Sequence, residues 1–179
     1  PKKLRNRSAK MPRWICQFGG LFKSDIVYVR LIDGVNATIA GFIGDALGFH
    51  LAWRLGNRTP KENFEKFRLH WLMPYGIPHE LNADRDGAYM GEFLDRLDRL
   101  GCLVRFVFAE AHHQLGRIER ANAVWRIAVE RVVDLWGTSS QDMEALDDAI
   151  TAANYARNAT VKRSGRSMWQ ALVGRCLRI

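Results

Sequence analysis

The chain has 179 residues, of which 47% are apolar and 11% aromatic, and its 27 lysines and arginines outnumber its 19 acidic residues, for a formal net charge of +8. This composition excludes a disordered polypeptide, and the length is sufficient for one compact domain with its own core. The positive charge favours a polyanionic partner such as DNA, although basic surfaces also bind anionic membranes or are simply solvated.

The sequence also restricts the cellular compartment. Its longest apolar segment, residues 39–52, is interrupted by glycines and polar residues and is shorter than the roughly 20 residues that a membrane-spanning helix requires. Three widely spaced cysteines, with no Cys-x-x-Cys pair and no secretory signal ahead of them, indicate a reducing compartment. We therefore expect a soluble nuclear or cytoplasmic protein that is neither secreted nor in a membrane.

The positive charge is concentrated at the two ends of the chain. Residues 1–13 contain six basic side chains and no acidic one, and residues 162–179 contain five basic side chains and no acidic one. Such basic ends commonly bind phosphates, and the alternative is a solubilising tail. We expect a basic N-terminal arm at 1–13, a core at 14–137, and a C-terminal helix with a basic tail at 138–179 that belong to the same domain.

The first half of the core has the pattern of three strands. Residues 14–22 have extended character, Lys23-Ser24-Asp25 supplies turn chemistry, and the β-branched segment 26–32 is typical of a second strand. Asp33-Gly34 predicts another turn, after which residues 35–43 form the third strand.

Helices and strands alternate in the second half. Thr59, Pro60 and Glu62 form the start of a capped helix, followed by a strand over 79–84, a helix over 90–100 and a strand over 102–108. A long helix then carries an apolar stripe at Leu115, Ile118, Ala121, Trp125, Ala128, Val132 and Leu135. The order β-β-β-α-β-α-β-α-α predicts an α/β fold with a five-stranded mixed sheet and helices on both faces.

Two acidic residues stand at positions where a catalytic site could form. Asp84 ends a predicted strand, Glu119 lies in the first turn of the long helix, and residues 85–118, thirty-four in number, separate them. Each also has a purely structural explanation, because an aspartate is common at a strand end before a turn and a helix N-terminus attracts acids. Asp86 is an alternative to Asp84 in the same turn.

Residues 75–131, with this pair of acids and the loop His113-Gln114-Leu115-Gly116, resemble the integrase catalytic core of copia-type long-terminal-repeat retrotransposons and of the wider retroviral integrase superfamily. The segment from Asn154 to Arg175 is similar to the tail that follows this core. The resemblance implies a ribonuclease-H-like fold, nucleic acid binding, self-association into a homo-oligomer, and DNA integration, a DNA recombination reaction of transposable elements.

The resemblance further implies a site for Mg²⁺ or Mn²⁺, held by Asp84 and Glu119, since these hard ions take carboxylate oxygens and stabilise phosphoryl transfer. It implies DNA contacts by Asn122, Arg126, His113 and Arg117, for which a solvated helix face is the alternative explanation. The sequence has no Gly-x-Gly-x-x-Gly or Walker-type loop between a strand and a helix, so we expect no nucleotide cofactor.

One position departs from the family pattern. The family opens its first strand with Trp-x-x-Asp, whereas this chain has Trp14-Ile15-Cys16-Gln17, which puts an amide at the first metal-binding position. Asp25 is expected at a turn, and Asp33 about 15 Å or more along the partner strand, so neither is expected to replace that carboxylate.

Three interpretations remain. The first is an integrase-type polynucleotidyl transferase that is weakened, or that uses a carboxylate not identified in the sequence. The second is a degenerate, element-derived DNA-binding domain without catalysis, and the third is a protein-interaction domain.

Overall fold

The computed structural model describes residues 18–107, 116–161 and 165–173. These residues form one five-stranded sheet from β1 (Leu21–Arg30), β2 (Asn36–Gly44), β3 (His50–Leu55), β4 (Glu80–Asp84) and β5 (Leu103–Val107). The strand order is β3-β2-β1-β4-β5. The first three strands pair antiparallel, whereas β4 pairs parallel with both β1 and β5, so the sheet is mixed as predicted.

Helices cover both faces of this sheet. One face carries α1 (Pro60–Phe67), α3 (Glu92–Arg99) and α6 (Met168–Val173), and α1 continues through a π-helical turn (Arg68–Leu72) into the short α2 (Met73–Tyr75). The other face carries α4 (Gly116–Trp136) and α5 (Met143–Ala159). Within the three described ranges, no helix combines the length and apolar character needed to cross a membrane.

The two faces have separate cores. Aromatic rings dominate the first, where Phe22 and Phe42 of the sheet pack with Phe67 and Trp71, and every one of these rings is fully buried. Aliphatic side chains dominate the second, where Val27 and Val29 of β1 meet α4 and α5. Alternate residues of β1 therefore point to opposite faces, as the period of a strand requires.

The first predicted turn was wrong. Lys23, Ser24 and Asp25 lie inside β1, which runs without interruption from Leu21 to Arg30. The predicted second strand is therefore part of β1, and the third strand of the sheet is β3, which the sequence pattern did not identify. The second turn is confirmed, because Gly34 adopts a positive φ of 82° and the Leu31 N–H donates to the Val35 carbonyl oxygen at 2.9 Å.

Two helix predictions had different outcomes. The cap of α1 is confirmed, since the Glu62 N–H donates to Thr59 Oγ1 at 3.2 Å. The stripe of α4 was only partly correct: Ile118, Ala121 and Trp125 are buried, whereas Ala128 and Leu135 are exposed. The described helix buries these instead: Asn122, Val129 and Val133.

Helix α5 closes the open edge of the sheet at β3. Asn154 and Asn158 each accept from a backbone N–H of β3 and donate back to the carbonyl of the same residue, Ala52 and His50 respectively. Four helical residues rise about 6 Å and two strand residues about 6.6 Å, so two asparagines one turn apart match alternate residues of the strand. An edge that would otherwise expose unpaired backbone groups is thereby covered. The domain boundaries at 13 and 137 stay predictions.

Candidate active site

Asp25 and Asp84 lie on neighbouring parallel strands at the same level of the sheet. Ser24 of β1 pairs with Ala83 of β4, and the next residues in that register are Asp25 and Asp84. Ala83 packs into the aromatic core, so Asp84, one residue later, belongs to the opposite face. Asp25 is on that face too, since it contacts Asn122 of α4. Adjacent strands are about 4.8 Å apart, so the two carboxylates are neighbours.

This placement corrects the prediction that Asp25 sits at a remote turn. Asp25 is opposite Gly41 in the middle of the β1–β2 ladder. Its predecessor Ser24 is fully buried, with its hydroxyl 3.1 Å from the Gly41 carbonyl oxygen and 2.5 Å from the Tyr89 hydroxyl. These tertiary contacts satisfy the polar side chains that made the segment resemble a turn.

Glu119 brings a third carboxylate to this end of the sheet. It lies in the first turn of α4, three residues before Asn122, so the two side chains leave the helix on the same side. Burial raises the pKa of the Asp25 carboxyl, hydrogen bonds from Asn122 and from the Ile26 backbone lower it, and the charges of Glu119 and Asp84 raise it further. The net shift is upward, with burial as its largest cause and the two neighbouring acids as smaller ones.

Asp84 and Glu119 are close enough to raise the pKa of the Asp25 carboxyl, but the three carboxylates are not drawn together around one point. Among the residues that the structure describes, no three His, Cys, Asp or Glu side chains are placed to hold a metal ion. Asp84 Oδ1 accepts from the Arg85 N–H at 2.7 Å, and Glu119 Oε2 turns back towards Gly116. Glu119 is exposed, so rotation of its side chain would bring its carboxylate towards the two aspartates. The donor set, which is entirely carboxylate, suits Mg²⁺ or Mn²⁺.

Asn122 of α4 is a buried neighbour of Asp25. It is 2% exposed, its Nδ2 donates to Asp25 Oδ2 at 3.2 Å, and its Oδ1 lies 2.9 Å from His50 Nε2. A Cβ on Gly41 would come within 2.4 Å of that Oδ1, so only glycine leaves room for the amide. The alternative that Asn122 lies on a solvated helix face was therefore wrong, and its contact with DNA stays a prediction.

Asp86, the alternative to Asp84, has a different environment. One of its carboxylate oxygens accepts from the Ala88 N–H at 2.9 Å and caps the 3₁₀ turn Gly87–Tyr89. The other forms an ion pair with Arg58. Both carboxylate oxygens of Asp86 thus have structural partners, one in Ala88 and the other in Arg58.

Two of the remaining predicted residues, Arg117 and Arg126, lie on α4. Arg117 donates to the Asp45 carbonyl oxygen and pairs with its carboxylate at 3.3 Å. Arg126 is exposed on α4 and approaches Glu130 at 3.8 Å. Gln17 and His113 lie outside the described residues. The sequence prediction missed Asp25, Gly41 and His50 as members of the site.

Comparison with known proteins agrees with this architecture. The chain is similar to the catalytic core domain of HTLV-2 integrase in complex with magnesium in its trimeric form, with 18% identity and a TM-score of 0.69 over 85% of this chain and 95% of that domain. The dimeric form of the same domain has 17% identity to this chain and a TM-score of 0.68, over 86% of this chain and 94% of that domain. The chain is also similar to a chain of the simian T-cell lymphotropic virus intasome in complex with PP2A regulatory subunit B56 gamma. The identity is 17% and the TM-score 0.72, over 85% of this chain and 53% of that one.

These likenesses establish the fold. The chain has the ribonuclease-H-like α/β fold of retroviral integrase catalytic cores, and the predicted resemblance is confirmed at that level. No protein-family model and no curated protein matches its sequence. The assignment to copia-type elements stays a prediction.

Proposed function

We propose that this protein is an integrase-type polynucleotidyl transferase that acts on DNA ends, with Asp25, Asp84 and Glu119 as the carboxylates that hold Mg²⁺ or Mn²⁺. The observation that carries the proposal is the register that sets Asp25 beside Asp84 on the face covered by α4. In this proposal a carboxylate at position 17 is not needed, because Asp25 supplies the first one. The fold is that of HTLV-2 cores bound to magnesium and of an intasome chain, which supports both the metal and the DNA substrate.

Each residue would have a defined task. The paired aspartates and Glu119 would bind the cations, which, when bound, neutralise the charge that develops on the attacking and leaving oxygens of the phosphodiester. Asn122 orients Asp25 by donating to one of its oxygens. Asp84 is preferred to Asp86 because Asp86 is committed to Arg58 and to the cap of a 3₁₀ turn. Arg126, which is exposed on α4, would contact DNA phosphates.

The test is a nicking and strand-transfer assay on labelled duplex ends with Mg²⁺ or Mn²⁺. We expect the native chain to be active, and Asp25→Asn, Asp84→Asn and Glu119→Gln each to abolish activity. Glu144→Gln, the same change at an exposed acid in the first turn of α5, is the matched control and should have no effect. Activity that survives Asp25→Asn would contradict the proposal, and activity that appears only in Gln17→Asp would move the first carboxylate to position 17.

A second candidate function is DNA binding without catalysis. It is favoured by the net charge of +8 and by the absence, within the described ranges, of three acids gathered tightly enough to hold an ion. Binding that weakens steeply with salt, together with no nicking by the native chain or by Gln17→Asp, would select it.

Self-association is compatible with either function. Several apolar side chains of α4 are exposed, among them Val124 at 63%, Leu135 at 80% and Trp136 at 52%. The HTLV-2 cores with this fold are found in dimeric and trimeric forms. We therefore propose a homo-oligomer, which light scattering on the purified chain would detect.

A further inference from the structure

A buried histidine, His50, is connected to the proposed metal ligand Asp25 through Asn122. His50, the first residue of β3, is fully buried on the same sheet face as Asp25. Asn158 fixes its backbone, accepting from the His50 N–H at 3.0 Å and donating to the His50 carbonyl oxygen at 2.6 Å. Burial, together with the charge of Arg157, lowers the pKa of the imidazole to about 3, against a raising effect of the Asn122 hydrogen bond. The ring is therefore neutral at physiological pH.

The chemistry of the groups fixes the direction of each hydrogen bond. An ionised carboxylate only accepts, so Asn122 must present its NH₂ group to Asp25 and its carbonyl oxygen to His50. The carbonyl oxygen also only accepts, so the His50 Nε2 carries the hydrogen and Nδ1 carries none. This tautomer agrees with the surroundings of Nδ1, which is buried with no hydrogen-bond partner among the described residues, since a buried N–H without an acceptor would be more costly.

We propose that His50 is a positioning residue, which donates from Nε2 to Asn122 Oδ1 and so holds the Asn122 amide in the orientation that directs its Nδ2 to Asp25. The inference rests on the proposed function, because it takes Asp25 to be a metal ligand. Without the Nε2 donor, the amide oxygen loses its partner and the Asn122 side chain is held only by Asp25, so the Asp25 carboxylate loses part of its fixed orientation. Removing a group that orients a metal ligand typically weakens metal binding about 10–100-fold.

Two substitutions separate the hydrogen bond from the bulk of the side chain. His50→Met fills similar space without a donor, whereas His50→Gln places an amide NH₂ near the position of Nε2. Isothermal titration of Mn²⁺ into the whole chain should give a Kd at least about tenfold higher for His50→Met than for the native protein. His50→Gln should retain a Kd nearer to the native one, and His70→Met, the same change on the opposite face of the sheet, should leave it unchanged.

Amide exchange gives a readout that needs no metal. The side-chain NH₂ of Asn122, assigned with Asn122→Ala, should be protected from solvent exchange in the native protein and in His50→Gln. That protection should be lost in His50→Met while the far-UV circular dichroism remains native. A purely structural role would lower the thermal stability of both His50 variants without this difference in exchange or in Kd.

The outcomes are distinguishable. A native-like Mn²⁺ Kd and native exchange in a folded His50→Met would overturn the inference alone, as would a His50→Gln protein that behaves like His50→Met. A Mn²⁺ Kd that Asp25→Asn leaves unchanged would instead refute the metal site, and with it the inference that depends on it.

Discussion

The close approach of β2 to Asn122 makes Gly41→Ala the sharpest test of the site geometry. The added Cβ would lie 2.4 Å from Asn122 Oδ1, 3.1 Å from Cγ and 3.2 Å from Nδ2, all well inside contact distance. The backbone of Gly41 lies in a regular strand without a positive φ, so the substitution acts through this clash and not through backbone strain.

The cost can be worked out from the two ways of relieving the clash. If the surroundings shift, overpacking costs about 1–3 kcal/mol. If Asn122 rotates away, it loses a neutral hydrogen bond to His50, about 1 kcal/mol, and a bond to the Asp25 carboxylate, about 1.5–3 kcal/mol. Since the less costly route decides, we expect a loss of about 1–3 kcal/mol, which for a chain of this size lowers Tm by about 2–12 °C. Mn²⁺ binding should weaken at the same time, because Asp25 is no longer held.

Thermal unfolding and Mn²⁺ titration of Gly41→Ala measure both effects. Gly87→Ala is the matched control, since a Cβ there would meet nothing within 4 Å and the backbone φ is not positive. Its Tm should stay close to that of the native protein. In an Asn122→Ala background the cost of Gly41→Ala should shrink, because the clashing atoms are gone. If Gly41→Ala unfolds at the same temperature as Gly87→Ala, the described position of Asn122 is wrong.

Three further predictions follow from the same contacts. Folding raises the pKa of the Asp25 carboxyl above its ordinary value of 3.8, so its ionisation in the folded state should reduce stability as the pH rises from 3.8 through the raised pKa. Urea unfolding of the metal-free proteins should show this loss in the native chain and not in Asp25→Asn. Asn158→Ala should cost about 2–4 kcal/mol and accelerate hydrogen exchange of the His50 N–H, and an unchanged exchange rate would contradict the edge contact. Arg126→Ala should weaken DNA binding equally across sequences and reduce the salt slope by about one, and an unchanged slope would exclude a phosphate contact.

The parts of the fold that the sequence predicted correctly depend on local chemistry. The Thr59 cap, the Asp33-Gly34 turn and the strand that ends at Asp84 are determined by residues within a few positions of one another. Their preferences are strong enough to survive in the folded chain, and they predicted the alternation of helices and strands that follows β3. The predicted order indicated a mixed sheet with helices on both faces, and the resemblance to integrase cores implied its ribonuclease-H-like topology.

The error at Asp25 has the opposite origin. Lys23-Ser24-Asp25 has turn propensity, but its partners are distant in sequence: Tyr89 for Ser24, and Asn122 for Asp25. Contacts across 65 and 97 residues override the local preference, and no local pattern encodes them. One signal was available, since counting back from the Asp33-Gly34 turn gives a strand long enough to contain Asp25.

The same reasoning applies to α4. Asn122, one turn beyond Glu119, was left out of the predicted buried stripe because its partners, His50 and Asp25, come from two different strands. A buried amide is acceptable only where both its donor and its acceptor are satisfied, and the two strands supply one partner each. Asn122 thus shifts the buried stripe of the helix towards the site.

These hydrogen bonds form a continuous chain from α5 to the proposed metal site. Asn158 of α5 holds the backbone of His50, His50 holds the amide of Asn122, and Asn122 holds the carboxylate of Asp25. The orientation of the Asp25 carboxylate therefore depends on α5, which acts through His50 and Asn122. Asn158→Ala, which removes the α5 contact, should raise the Mn²⁺ Kd, because each hydrogen bond in this chain fixes the orientation of the next group.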